Sequence, residues 1–259
     1  MKRLIFPDRN CELSAAAHSL RFTDFDGDGK KDLAVTNQAG GTGTVSILRQ
    51  SGNMTYAQMA GSPVAMGAGY GSYGIDAADF NGDKRTDLVV GNVANNTNLR
   101  IILNNVASWA AQPLFGATIL PGAGPNVVKA GDWDGDGKMD FISVNRNGGN
   151  VTFFKGNGAG VFTRPNANIA VGTAPEIAAV GDLNRDGFMD LVVPNFGSSN
   201  AHLLIGRGDG TFNNPVALPA GAQPNGVAIG DYNNDGRPDI AMSVFNGGNV
   251  QIHRNTGTN

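Results

Sequence analysis

Five short segments hold most of the carboxylates of this chain. They read Asp24-Phe-Asp26-Gly-Asp28-Gly-Lys30-Lys-Asp32, Asp79-Phe-Asn81-Gly-Asp83-Lys84-Arg85-Thr-Asp87, Asp132-Trp-Asp134-Gly-Asp136-Gly-Lys138-Met-Asp140, Asp182-Leu-Asn184-Arg-Asp186-Gly-Phe188-Met-Asp190 and Asp231-Tyr-Asn233-Asn-Asp235-Gly-Arg237-Pro-Asp239. Of 22 acidic residues, 17 are aspartates of these segments; the others are Asp8, Glu12, Asp76, Glu176 and Asp209. Three or four carboxylates within nine residues repel one another unless a cation neutralises them. Asp or Asn at positions 1, 3, 5 and 9 offers oxygens on alternate residues of a tight loop. With the backbone carbonyl at position 7 (Lys30, Arg85, Lys138, Phe188, Arg237), this approaches the six to eight oxygens that calcium takes, whereas magnesium prefers to keep several waters. Five Ca²⁺, one per loop, bring ten positive charges and would move the formal charge from −3 to +7.

Glycine at position 6 in four copies suits a sharp turn of positive φ. The segment looks like the first part of an EF-hand loop, but it lacks the bidentate glutamate at position 12. The sites should be unequal. The Asp24 and Asp132 loops carry four carboxylates and the others three plus an asparagine; Lys84 stands where glycine is wanted, so the Asp79 loop should bind most weakly.

The elements that position these loops repeat with them. The loop starts lie 55, 53, 50 and 49 residues apart, which fills the 259-residue chain. A short apolar run precedes each loop (Gly226–Gly230) and another follows it (Leu191–Val193). After a turn rich in Asn or Gly comes a third run, such as Val45–Leu48 or Val151–Phe154, and then a weaker fourth, such as Val216–Leu218. Short runs bounded by turn residues are β-strands, and no helical period competes. Four strands per repeat predict an all-β, five-bladed β-propeller, a single domain over 1–259 with repeats 16–66, 67–119, 120–169, 170–219 and 220–259. The chain stops after a third-type strand, and residues 1–15 resemble the end of a repeat. A strand near Asn10–Ser14 is therefore expected to complete the last blade, closing the ring within one chain or joining a neighbouring molecule.

Composition bounds the function. Apolar residues make up 41% and charged residues 16%, too apolar for disorder, and no run of 18 apolar residues exists to span a membrane as a helix. The basic start Met1–Pro7 has too short an apolar run for a signal peptide. The single cysteine, Cys11, excludes an internal disulfide framework and reads as a small buried hydrophobe. Basic residues are scattered, which argues against a nucleic-acid partner.

The loops, with the turns Gly156-Asn-Gly-Ala-Gly-Val-Phe162 and Gly206-Arg-Gly-Asp-Gly-Thr-Phe212, resemble the FG-GAP or VCBS repeat family, seen also in the propeller of integrin α chains and in some fungal lectins. The resemblance covers essentially the whole chain. It implies a calcium ion in the loop joining the first two strands of each blade, an extracellular or cell-surface location, and a glycan or protein ligand. Relatives usually have seven blades; five are counted here.

Beyond structural calcium, a non-enzymatic binding module is the leading expectation. No nucleophile, zinc or phosphate-loop motif occurs, and no catalytic residues are assigned. Asp76 and Arg21 hold equivalent places before their loops and are expected to pair as a salt bridge between blades. His202 and His253 read as ordinary strand residues and Trp133 as core. Tyr70, Tyr73, Trp109 and the Asn95 and Asn150 turns are the ligand-contact candidates. The alternatives are a self-assembling subunit of a surface fibre or layer, for which the sequons at Asn53, Asn95 and Asn150 are compatible, and a polysaccharide-active enzyme.

Overall fold

A computed structural model describes residues 16–39, 42–52, 55–68, 71–93, 99–105, 109–113 and 122–257. These form five antiparallel sheets, taken up in chain order. The first holds β1 (Ala16–Thr23), β2 (Asp32–Ala39), β3 (Thr42–Gly52), β4 (Thr55–Gln58) and β5 (Val64–Ala68). The second holds β6 (Ser72–Ala78), β7 (Asp87–Asn92), β8 (Arg100–Asn104) and β9 (Trp109–Pro113). The third holds β10 (Pro125–Gly131), β11 (Asp140–Asn145), β12 (Asn150–Gly156), β13 (Phe162–Thr163) and β14 (Ile169–Ala170). The fourth holds β15 (Ala179–Gly181), β16 (Asp190–Asn195), β17 (Asn200–Leu204) and β18 (Val216–Pro219), and the fifth β19 (Pro224–Gly230), β20 (Asp239–Val244) and β21 (Asn249–His253). Among the described residues the only helix is a single 3₁₀ turn, Phe245–Gly247.

Three of the second strands are covered on both faces. Every residue of β7, β11 and β16 is buried, so these strands read as continuous apolar runs rather than alternating ones. Prolines mark the departures from four even strands. In the first and third sheets the outer strand is split, with β4 and β5 pairing opposite ends of β3, and β13 and β14 opposite ends of β12. Pro63 and Pro165 fall in the two gaps, where a residue without an amide hydrogen interrupts the ladder. Pro194, inside β16, withdraws a donor from the fourth sheet, whose inner strand β15 is only three residues long.

Four apolar clusters lie at the four successive sheet contacts. Val45 and Ile47 pack against Ile75 and Leu88; Leu99 and Ile101 against Val128 and Phe141; Val151 and Phe153 against Ala178 and Leu191; Ala201 against Ile240 and Met242. In each, the third strand of one sheet meets the inner strands of the next. The fifth sheet carries Val250 and Ile252 at the places of Val45 and Ile47, yet they are 61% and 63% exposed. At the other end, Leu20 and Phe22 hold the places of Ile75 and Ala77 and are 48% and 54% exposed. Among the described residues no cluster joins the fifth sheet to the first. The expected strand at Asn10–Ser14, and Cys11, lie outside the described residues.

Candidate metal centre

Each acidic segment leaves an inner strand and enters the second strand of its sheet. Its shape comes from side-chain oxygens that accept backbone amides, a succession of Asx turns. The Asp24 carboxylate accepts from Gly27 N at 2.7 Å and Gly29 N at 2.8 Å, Asp26 Oδ1 from Asp28 N at 3.1 Å, and Asp28 Oδ1 from Lys30 N at 2.9 Å. In the third loop Asp132 accepts from Asp136 N and Gly137 N, Asp134 from Asp136 N and Asp136 from Lys138 N. At position 3 an asparagine carbonyl does the same work: Asn81, Asn184 and Asn233 each accept from the amide two residues on, at 3.1, 3.1 and 2.8 Å. Asp and Asn are therefore interchangeable there.

Two positions of each loop are left-handed. Position 6 is, as the sequence implied, at Gly29, Gly137, Gly187 and Gly236, and Lys84 adopts the same conformation at φ +65°. Position 4 is left-handed too, at Gly27, Gly82 and Gly135, and at Arg185 (φ +62°) and Asn234 (φ +59°). Asn tolerates this region; Lys84 and Arg185 are held there at a cost of about 1–2 kcal/mol each.

The position-9 aspartates are buried and hold the loop to its sheet. Asp32, Asp87, Asp140, Asp190 and Asp239 each accept the amide of position 2 with one oxygen and, with the other, an amide at the end of the third strand: Gln50, Asn104, Gly156, Gly206 and Asn255. Each oxygen keeps a second lone pair for a cation. Burial pushes Asp87 and Asp140 up to about 6, with the loop's other carboxylates adding to the effect; Asp190 is raised for the same reason.

The remaining aspartates converge. Oxygens of Asp24, Asp26 and Asp28 lie within 4.8 Å of one another, as do those of Asp132, Asp134 and Asp136. An all-oxygen, anionic donor set suits a hard divalent cation, so the residues present fit calcium. Basic side chains also gather here. At position 7, Lys30 pairs with Asp28 at 2.8 Å and Arg237 with Asp235 at 2.8 Å, Arg85 pairs with Asp83, and Lys138 approaches Asp136 at 3.7 Å. A second column lies on the third strand, beside the position-9 aspartate: Arg49 pairs with Asp26 (2.5 Å) and Asp28 (3.0 Å), Lys155 with Asp134 and Asp136, and Arg254 with Asp235 (3.5 Å). Leu103 and Ile205 fill that column beside the Asp79 and Asp182 loops. The two loops with an extra aspartate at position 3 are thus the two in which a base reaches that aspartate. In the Asp182 loop, with Phe188 at position 7, no carboxylate has an ion pair among the described residues.

The first four loops also reach the next sheet through their position-2 carbonyls. Phe25 O accepts from Asn104 Nδ2 at 2.7 Å, Phe80 O from Gly160 N at 2.9 Å, Trp133 O from Gly210 N at 3.1 Å and Leu183 O from Asn255 Nδ2 at 2.7 Å. The side chain of Trp133 is buried in the core. Arg21 Nε and Asp76 Oδ1 pair at 2.6 Å between the first two sheets, as expected. Of the ligand-contact candidates, Tyr70 and Asn95 lie outside the described residues, as does the sequon residue Asn53, and so does the side chain of Trp109 in β9. The Asn150 side chain is engaged in its own turn, accepting from Asn145 Nδ2 and donating to Gly148 O.

Consecutive antiparallel sheets of three to five strands, each with an acidic loop between its first two strands, define a repeat protein of β-propeller-like fold. The FG-GAP-like repeat profile matches residues 24–90, 132–193 and 195–242, and the chain belongs to that family. No curated protein matches the sequence. Among solved structures, a functionally unknown protein from Desulfotomaculum acetoxidans is similar, with a TM-score of 0.59, 11% identity, and 90% of this chain covering 64% of that one. A protein from Lactobacillus plantarum gives 0.57 at 15% identity, with 80% of this chain covering 56% of that one. A candidate 6-phosphogluconolactonase from Bacteroides uniformis gives 0.55 at 16% identity, with 87% covering 64%. At such identities the likeness is one of fold, and the chain spans less than two thirds of each of these proteins.

Proposed function

We propose that the chain is a non-enzymatic, calcium-stabilised β-propeller acting outside the cell as a binding module for a glycan or protein, its five sheets serving as blades. The observation that carries the calcium reading is the set of five equivalent Asx loops, in two of which three carboxylates lie within 4.8 Å of one another. The residues that would hold the ions are those at positions 1, 3, 5, 7 and 9. Calcium there would supply the counter-charge that the crowded carboxylates need, coupling binding to folding. A location in calcium-rich surroundings suits such loops. Residues 1–15 complete the fifth sheet in this reading.

A second reading, a self-assembling structural subunit, is favoured by the uncovered Val250, Ile252, Leu20 and Phe22, since matching faces left open at the two ends invite a head-to-tail contact. One experiment separates them: size and melting temperature of the purified chain in calcium and in excess EGTA, followed by a glycan array. A monomer that loses 10 °C or more in EGTA and binds a defined set of glycans supports the module. Large assemblies that survive dilution support the subunit. No response to EGTA would refute the calcium reading of the loops.

A further inference from the structure

A cavity of about 710 Å³ opens where the inner strands β1, β6 and β10 converge. Its wall is built from two levels of equivalent residues. Three residues before their loops stand Arg21, Asp76 and Lys129; the corresponding places in the fourth and fifth sheets are Ala179 and Ala228. Asp76 is engaged on both oxygens, its Oδ1 by Arg21 at 2.6 Å and the Ala77 amide at 3.0 Å, its Oδ2 by the Ala130 amide at 3.0 Å. Six residues before the loops stand His18, Tyr73, Asn126 and Glu176. The His18 and Tyr73 rings lie together with centroids 4.3 Å apart, and Glu176 is held by Arg146 at 3.0 Å.

The charged groups around this cavity are three cations and two carboxylates. Arg21 is matched by Asp76 and Arg146 by Glu176, which leaves Lys129 without an ion pair among the described residues. Its ammonium is half-buried; burial and then the Arg21 guanidinium push it below its ordinary value, and Asp76 only partly offsets them. An unmatched, partly desolvated cation is unfavourable in the empty cavity and favourable once an anion arrives. The volume is that of a small-molecule pocket rather than of a lone ion, and the paired rings offer an aromatic face beside the cation.

We propose that this cavity binds an acidic saccharide, with its carboxylate on Lys129 and a sugar face against the Tyr73–His18 pair. The inference rests on the binding-module reading and names its ligand class. The test is calorimetric titration of the calcium-loaded full chain with digalacturonate, with the corresponding neutral disaccharide, and with inorganic phosphate. Digalacturonate is expected to bind at least tenfold more tightly than either alternative. Lys129→Met should weaken it at least tenfold and Tyr73→Ala several-fold. Because Lys129→Met removes an unmatched charge, its melting temperature should equal or exceed that of the parent, which separates a lost ligand contact from a lost fold. Unchanged digalacturonate affinity in Lys129→Met overturns the site, and phosphate binding as tightly as digalacturonate reduces it to a plain anion site. A neutral glycan bound with Lys129→Met unaffected overturns this proposal but leaves the binding module standing, whereas absence of any glycan or protein ligand sinks both.

Discussion

At the scale of single residues, the position-9 aspartates carry the electrostatic cost of the acidic loops. Asp87 and Asp140 are shifted up to about 6 because burial opposes their charged forms. A carboxyl whose folded-state value is raised contributes stability that is present below the unfolded value, near 4, and lost as pH rises through the folded value. In EGTA the chain should therefore lose stability between about pH 4 and pH 6, by roughly 2–3 kcal/mol per group at most. Saturating calcium should remove that slope, because the ion compensates the charges. Asp28, Asp136 and Asp235, each beside a basic side chain, are shifted the other way, and their contribution is lost only below about pH 4, in a separate window. Melting curves at pH 4, 5, 6 and 7, with and without calcium, test this; a metal-free chain that gains stability across that range refutes it.

At the scale of the element, the acidic loops and the strand runs were legible because their signals are local: alternating oxygens, glycine at position 6, apolar runs between turns. What escaped the sequence depends on partners from elsewhere in the chain. Left-handed position 4 is hidden where Arg185 and Asn234 replace glycine. The pairing of Arg49 with Asp26 and of Lys155 with Asp134 appears only once strand register places that column beside the loop. The split outer strands were signalled by Pro63 and Pro165, but a weak fourth run gave no register to locate the breaks. Gly210 is a further case. Its amide reaches the Trp133 carbonyl, and a Cβ there would lie 2.4 Å from the Phe153 ring, with φ at +76°. Gly137 has a similar φ, +81°, but open space around it. Gly137→Ala should lose only about 1 kcal/mol of conformational strain. Gly210→Ala adds overpacking of about 1–3 kcal/mol. Equal melting temperatures for the two variants would mean that the turn yields without loss.

At the scale of the whole molecule, every sheet contact joins the same two kinds of surface, and each is accompanied by a hydrogen bond from one sheet to the preceding loop. Among the described residues nothing covers the apolar faces at the two ends, so the described sheets make four such contacts and no fifth. If the loops take calcium as proposed, the loop-to-sheet bonds couple one site to the next. An ion bound in the Asp132 loop would also fix the Trp133 carbonyl, ordering the turn at Gly210 and with it the fourth sheet, whose Asp182 loop would hold the next ion. Such influence is reciprocal, and in a linear array it passes from neighbour to neighbour. Ions more than a loop apart would then bind cooperatively although none touches another, and a calcium titration followed by intrinsic tryptophan fluorescence should give a Hill coefficient above one. The loop at Asp231 has no further sheet beyond it among the described residues and should be the least tightly coupled member of the series, so that Asp231→Asn lowers the total uptake while leaving the steepness of the curve nearly unchanged.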